Sequence, residues 1–459
     1  MASDQGESQY RFFWISVISA VVLLTIAVFI LFSSGDFIFF KTVLSLLSSL
    51  WWLILPIPVW LIFRLVWGEY TGLTWAIQQE KIMLEIVPPT EIEKSPKLME
   101  QVFASLHDYS TSNLFEVHCG WRPAQASFSF EVVSTEGKIH YYVRCSKEKR
   151  NVFESKIYSQ YPDSEIFEAE DYTAKVPANL PNKDWDVWGS TISLVDRDEL
   201  PIRTYKHFVE DVTGKMIDPL SSLFESWGTL GKDQHAWLQF VITPEKEPEW
   251  HPASLEYLDE LMGKPAPTKG SSQFVNFFKE ILAIPGNVFR GLVGMELATP
   301  AAEESAEEEF NYMKLPLPDQ EKVKAVHENI SKPGYWTTMR FVYTGKTDNM
   351  DKPTAVAGFF GALKQFADVN MNSFYPDPKT KTFANYYFTE PRMNYRKRKN
   401  INDYRGRGLQ GMQMLLNTEE LATVCHFPDM SVVTPTMKRV ETKKGDAPVD
   451  LPVGLELED

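Results

Sequence analysis

The chain has 459 residues, of which 44% are hydrophobic and 13% aromatic. This is enough apolar side chain for hydrophobic cores, so the composition excludes a globally disordered protein. The net charge of −15 argues against a body that binds nucleic acid over its whole surface. Cys119, Cys145 and Cys425 are scattered, with no CxxC pair and no histidine at ligand spacing. They suit a reducing compartment and exclude a disulfide scaffold or an ordinary zinc site.

Two apolar runs near the N-terminus predict a transmembrane hairpin. Residues 12–32 carry no charge and no proline, and a second apolar run covers residues 37–63. About 20 apolar residues suffice for one helix to cross a bilayer. Arg11 precedes the first run and Arg64 follows the second, so positive-inside counting places both termini in the cytoplasm. We expect a two-span protein of the inner (plasma) membrane with a cytoplasmic body; the alternative is a buried core hairpin.

Residues 70–180 follow a strand–helix–strand–strand–helix–strand order. Ser95 before Pro96 is a good helix start, and the turn at Gly137 joins two alternating apolar runs. The predicted elements are, in chain order, strand 81–87, a helix from Ser95, strands 128–134 and 139–144, helix 147–161 and strand 164–170. This is the order of a ferredoxin-like sandwich, one antiparallel sheet with two helices.

Residues 181–390 repeat this order around an insertion at 244–332. The predicted elements are strand 189–195, helix 219–227, strands 235–243 and 335–343, helix 354–369 and a strand from residue 372. The predicted fold class is therefore α+β: a two-helix transmembrane hairpin (1–69) followed by two ferredoxin-like domains (70–180 and 181–390). Residues 391–459 are expected to form a basic loop, a short helix and an extended tail.

The insertion contains two unlike stretches. Residues 274–293 are apolar with few charges, and could lie on a membrane surface or pack on the domain. Residues 301–309 are acidic and of low complexity, which favours a solvated tether over a docking site for a basic partner.

Motifs of catalysis and nucleotide binding are incomplete. Residues 345–347 resemble the end of a phosphate-binding loop, but Arg340 occupies the position of its first glycine. Residues 406–411 match the dinucleotide spacing GxGxxG, but a polar basic stretch precedes them where a buried strand is required. We therefore predict no enzyme activity, no catalytic residue, no metal site and no cofactor.

The strongest chemical signal is the basic stretch 392–407. Its seven arginines and lysines against one aspartate give a local charge of +6. Arginines neutralise phosphates and tyrosines can stack on unpaired bases, so the composition suits DNA. Alternatives are docking of an acidic partner, including the acidic stretch of a second copy, binding of anionic lipid head groups, or a solvated loop. The candidate DNA- or partner-binding residues are Arg392, Tyr395, Arg396, Lys397, Arg398, Lys399, Tyr404, Arg405 and Arg407.

The end of the chain resembles a known family. The string NTEELATVCHFPD at 417–429, followed by VVTPTMKRVETKKGDAPVDLP, is similar to the segment before the motor domain of conjugative DNA-transfer ATPases. These are the coupling-protein and HerA/FtsK-like ATPases of type IV secretion. The strings IMLEIVPP at 82–89 and KSPKLMEQVFASLH at 94–107 extend the likeness over most of the chain. No Walker A loop follows before Asp459, so no catalytic residue can be carried over.

The resemblance implies a membrane anchor and platform for a motor encoded on another chain. We expect a non-catalytic, membrane-anchored subunit of a type IV secretion or conjugation-like DNA-transfer machine. Its expected partners are the membrane, a separate motor ATPase and DNA, and it would act as a homo-oligomer. The alternative is a membrane-surface scaffold or lipid-binding accessory protein with no role on DNA.

Overall fold

The computed structural model describes residues 56–89, 95–108, 127–208, 217–245, 247–262, 315–409 and 413–429, with single residues 45, 49, 92 and 411. The strands and helices named below all lie within these residues. The strands are β1 Lys81–Val87, β2 Phe128–Thr135, β3 Lys138–Ser146, β4 Glu165–Glu168, β5 Trp185–Leu194, β6 Gln234–Pro244, β7 Gly334–Lys346, β8 Phe374–Pro376 and β9 Met414–Asn417. The α-helices are α1 Pro56–Gln78, α2 Ser95–Leu106, α3 Arg150–Gln160, α4 Ser221–Gly228, α5 Glu247–Leu261, α6 Leu317–Ile330, α7 Gly358–Leu363, α8 Thr389–Gly406 and α9 Thr418–Val424.

The nine strands form one antiparallel sheet with the order β4-β1-β3-β2-β6-β7-β5-β8, and β9 pairs with β7 outside this path. The first half of the sheet consists of β1 to β4 and the second half of β5 to β8. When the strands of each half are numbered 1 to 4 in chain order, both halves have the order 4-1-3-2. The halves are joined by the ladder between β2 and β6, which runs from the pair Phe128↔Ile242 to the pair Thr135↔His235.

This ladder corrects the predicted fold class, which had two separate ferredoxin-like domains behind a transmembrane hairpin. In separate domains β2 and β6 would be edge strands with unpaired backbone groups. Every residue of β6, and all but the last of β2, is instead buried. Each strand thus covers the open edge of the other half, and the chain builds one continuous sheet.

The predicted membrane spans are also corrected. The apolar run 12–32 lies outside the described residues, as does most of the run 37–63. In the part of the chain that is described, no helix combines the length and the apolar content needed to cross a membrane. The described end of the second run forms the start of α1, which continues past the charged residues Arg64 and Glu69 to Gln78. The two-span inner-membrane location and the hairpin in the predicted fold class are therefore contradicted.

The two faces of the sheet carry different cores because strand side chains alternate. Phe341 and Leu238 belong to the larger core, on the side of α2, α4 and α7. Their neighbours Val342 and Trp237 belong to a smaller core on the opposite side. Ile401 and Tyr404 of α8 complete this smaller core. Helix α8, which contains most of the basic stretch, therefore lies on the face opposite to the main helical layer.

The last described helix, α9, begins with a capping box. Asn417 is the N-cap, and its side chain accepts a hydrogen bond from the backbone N–H of Glu420. The Glu420 carboxylate accepts in return from the backbone N–H of Asn417, which completes a capping box. Residues 274–293, 301–309 and the tail after residue 429 lie outside the described residues.

Candidate functional site

Residues 389–406 form an 18-residue helix where the sequence suggested a loop. Pro391 lies in the first turn, where the missing N–H costs nothing, and no proline or glycine follows until Gly406. Arg407 ends the helix in the left-handed conformation, with φ of 49°. The helix is difficult to recognise in the charged sequence because its buried side is narrow and partly polar. This side consists of Asn400, Ile401 and Tyr404.

Asn400 fixes the middle of α8 on strand β5. Its side-chain Nδ2 donates to the carbonyl oxygens of Gly189, at 2.9 Å, and Thr380, at 2.8 Å. A Cβ atom at position 189 would lie only 3.1 Å from the Cβ of Asn400. The absence of a side chain at Gly189 therefore sets how closely the helix approaches the sheet.

Lys397 forms a second anchor. Its Nζ lies 2.5 Å from a carboxylate oxygen of Asp186 on β5. Burial acts to raise the pKa of Asp186, but Lys397, the backbone N–H of Val187 and Lys352 together lower it below its ordinary value. Lys397 is therefore committed to the sheet rather than exposed for a ligand.

Arg407 anchors the end of α8 in a buried polar network. Its guanidinium makes two hydrogen bonds to the Glu131 carboxylate, of 2.7 and 3.1 Å, and two to Asp171, of 2.7 and 3.0 Å. Burial alone would lower the pKa of Arg407, but the neighbouring Glu131 carboxylate raises it above its usual value. Only 2% of the Arg407 side chain is exposed, so a strand of DNA cannot reach it.

Tyr404 and Arg405 also hold α8 in place. The Tyr404 hydroxyl is buried and lies 2.7 Å from the hydroxyl of Tyr172. Arg405 donates to the carbonyl oxygens of Ala178, at 2.7 Å, and Pro177, at 2.9 Å. Four of the nine predicted binding residues thus attach the helix to the body: Lys397, Tyr404, Arg405 and Arg407.

The other side of α8 lines an open groove, called here the α8 groove. Arg392, Tyr395, Arg396 and Lys399 follow the i, i+3, i+4, i+7 spacing of one helix face. The groove has a volume of about 420 Å³, within the range of ligand sites. Its lining residues include four cations and no acid: Lys379, Thr380, Pro391, Arg392, Tyr395, Arg396, Lys399 and Asn400. Arg398 is exposed but does not line this groove.

Two groove arginines are held by the segment that precedes the helix. Arg392 donates from Nη1 to the carbonyl oxygens of Asn385, at 3.1 Å, and Tyr387, at 3.4 Å. Arg396 donates from Nη1 to the carbonyl oxygens of Lys381, at 3.0 Å, and Phe383. In the described part of the chain no protein acceptor is found for Nε and Nη2 of Arg396. Each guanidinium is thus oriented through one nitrogen, and its other nitrogens can donate to a bound anion.

The segment 383–388 adds exposed aromatic side chains beside the groove. We call Phe383, Tyr386, Tyr387 and Phe388 the aromatic loop. All four are exposed, as is Tyr395 on the helix. Phe383, Phe388 and the groove residue Lys379 escaped sequence analysis because they lie outside the dense basic stretch. An FxxYYF run of aromatic residues directly before the arginines was the signal that could have revealed the loop.

A family model described as "Domain of unknown function (DUF8128)" matches residues 68–257. No curated protein matches the chain. The matched segment covers β1 to β6 and ends inside α5, before the α8 groove begins. The chain is therefore similar to this family in the first part of its sheet, and the resemblance to DNA-transfer ATPases stays a prediction.

Within the described ranges, no group of three or more histidine, cysteine, aspartate or glutamate side chains is placed to hold a metal ion. The buried acid Glu131 and the partly exposed Asp171 are instead paired with Arg407.

Proposed function

We propose that this chain is a non-catalytic DNA-binding subunit of a transfer machine of the type IV secretion or conjugation kind, and a platform for its motor ATPase. The α8 groove would hold the phosphate backbone of the DNA. The observation that carries the proposal is the concentration of four cations, with no acid among the lining residues, on one groove of a chain whose net charge is −15.

Charge complementarity supports a phosphate ligand. Arg392 and Arg396 present guanidinium groups, which pair with phosphate oxygens in a bidentate manner, and Lys399 adds a point charge. Cations that neutralise phosphates release counterions, which supplies most of the affinity for non-specific DNA binding. The excess of acidic residues elsewhere repels DNA, so contact is confined to the groove.

The decisive experiment is DNA binding by the purified chain, measured by fluorescence anisotropy over a series of salt concentrations. The groove variant replaces four cations: Lys379→Gln, Arg392→Gln, Arg396→Gln and Lys399→Gln. A matched control removes the same charge from exposed lysines elsewhere: Lys138→Gln, Lys183→Gln, Lys324→Gln and Lys364→Gln.

Binding by the wild-type chain should weaken steeply with salt. Four neutralised phosphates give a slope of log K against log salt of about −3 for a single strand. The groove variant should lose this binding, and the lysine control should keep it. No binding of DNA by the wild-type chain at low salt, or equal binding by the groove variant, would overturn the proposal and leave the groove to an acidic protein partner.

The platform role has its own test. Affinity isolation of the chain from its own cells, at native expression, should recover a motor ATPase. The chain carries an affinity tag for this isolation, and the control is the same procedure on cells whose chain carries no tag. Recovery of DNA without any ATPase would remove the platform role and leave the binding role.

A further inference from the structure

The aromatic loop presents four exposed aromatic side chains. Tyr386, Tyr387 and Phe388 are 89%, 82% and 79% exposed, and they are the three most exposed aromatic side chains among the described residues. Large apolar side chains grouped in this way commonly mark a binding surface. The loop contains no exposed aliphatic side chain, since Ala384 is buried.

The backbone of this loop is held in an uncommon conformation. Tyr386 and Phe388 have φ of 69° and 51°, in the left-handed region that bulky residues rarely adopt. Such strain persists only where neighbouring contacts impose it, and it is frequent at ligand sites. Here the contacts come from the groove itself, through the hydrogen bonds of Arg392 to the carbonyl oxygens of Asn385 and Tyr387. The cations and the exposed rings therefore form one continuous surface.

We infer that the nucleic acid of the α8 groove is single-stranded and that the aromatic loop stacks on its unpaired bases. This rests on the proposed function, whose phosphate contacts it extends to the bases. In a duplex the base faces are covered by neighbouring pairs, so exposed rings would find nothing to stack on. A single strand offers its phosphates to the cations and its base faces to the rings, as in other single-strand binding surfaces.

The test compares a 20-nucleotide oligothymidine with a 20-base-pair duplex, for the wild-type chain and a leucine variant. The leucine variant, Tyr386→Leu, Tyr387→Leu and Phe388→Leu, keeps apolar volume and removes the flat rings. Tyr158→Leu, at another exposed tyrosine, is the matched control. Urea unfolding of each variant checks that the fold is unchanged.

The leucine variant should lose at least tenfold in affinity for oligothymidine, with the salt slope and the weaker duplex binding unchanged. A 5-iododeoxyuridine strand should also photo-crosslink to residues 386–388 in the wild-type chain, a readout that does not depend on a variant. Equal binding of duplex and single strand through the groove, with no loss in the leucine variant, would overturn this inference alone. If the wild-type chain binds neither oligothymidine nor the duplex, the proposed function itself is overturned.

Anionic vesicles are the third ligand in this comparison. The leucine variant could bind phosphatidylserine vesicles more weakly than the wild-type chain does, yet bind oligothymidine equally tightly. In that case the rings contact lipid and the inference is wrong. If oligothymidine alone responds, the inference holds.

Discussion

Arg407 and Glu131, separated by 276 positions in the chain, form a buried bidentate ion pair. Glu131 also accepts hydrogen bonds from Ser129, Tyr172 and Gln239, so both carboxylate oxygens are fully used. The pair joins the end of α8, which follows the second half of the sheet, to strand β2 of the first half. It therefore positions the groove helix relative to both halves.

Removal of Arg407 should destabilise the fold. Arg407→Met leaves the buried Glu131 carboxylate without its partner, and the loss of one member of a buried ion pair costs about 3–5 kcal/mol of unfolding free energy. Urea unfolding measures this change. Arg398→Met, on the exposed side of the same helix, should change it by less than about 0.5 kcal/mol. Equal unfolding midpoints for both variants would show that the pair contributes nothing.

Gly189→Ala should displace α8 from the sheet. The new Cβ would lie 3.1 Å from the Cβ of Asn400 and 3.3 Å from its Nδ2, so the helix must shift. Overpacking of this kind costs about 1–3 kcal/mol. We expect a lower urea midpoint together with weaker DNA binding at unchanged salt slope. The control Gly361→Ala, whose Cβ meets no atom within 4 Å, should leave DNA binding unchanged and should not lower the urea midpoint, since alanine favours a helix over glycine by about 1 kcal/mol.

Glu420 should make the fold less stable as the pH rises. Burial raises the pKa of this carboxyl to about 8, despite hydrogen bonds from the backbone N–H groups of Ile202 and Asn417. The pKa of a glutamate side chain in the unfolded protein is about 4.3, so the folded state binds the proton more tightly. The contribution to stability is complete below about pH 4 and is lost as the pH rises through about 8.

The unfolding free energy should therefore fall between pH 5 and pH 8, by at most about 1.4 kcal/mol per pH unit. Urea titrations at several pH values measure the slope. Glu420→Gln cannot ionise and should remove it. A slope that survives in this variant must come from another group.

Asp218 should show the opposite dependence. Its carboxylate accepts from His426 Nε2 at 3.1 Å and from the backbone N–H groups of Leu220 and Asp429. Burial acts to raise the pKa of Asp218, but His426 and these donors lower it below its ordinary value. The stabilisation is therefore present above about pH 4 and is lost as the pH falls through the lowered pKa.

Asp218→Asn should lower the thermal midpoint at pH 7. It should also flatten the curve of thermal midpoint against pH below pH 4, called here the acid limb. The Glu419 carboxylate, buried on α9 and paired with Lys206 and Lys332, also has a lowered pKa, so Glu419→Gln should flatten the acid limb as well. An unchanged acid limb in Asp218→Asn would assign acid unfolding to other carboxylates.

The local elements were largely readable from the sequence. The strand 81–87 was predicted with its observed bounds because Pro88 stops a short apolar run, and the short helix expected after the basic stretch is α9. The pairing of β2 with β6 was not readable, because two fully buried strands look alike whether a helix or another strand covers their edge. Long-range partners decide such contacts, and a single sequence does not contain them.

The candidate site was half readable. Composition located the basic stretch, but the division of its cations depended on geometry. Arg405 faces carbonyl oxygens and Arg407 faces the buried Glu131, while Arg392 and Lys399 face the groove, although all four look equivalent in sequence. The helical spacing could have separated them, since Arg392, Arg396 and Lys399 share one face.

Strand β7 is paired along both of its sides. It meets β6 from Tyr335 to Gly345 on one side, and on the other β9 up to Thr337 and β5 from Met339 onward. Its amide protons can reach solvent only when several ladders open together, and β6 carries the same constraint into the first half. Hydrogen exchange in these two strands therefore reports the opening of the whole sheet, and the halves share one cooperative unit rather than two.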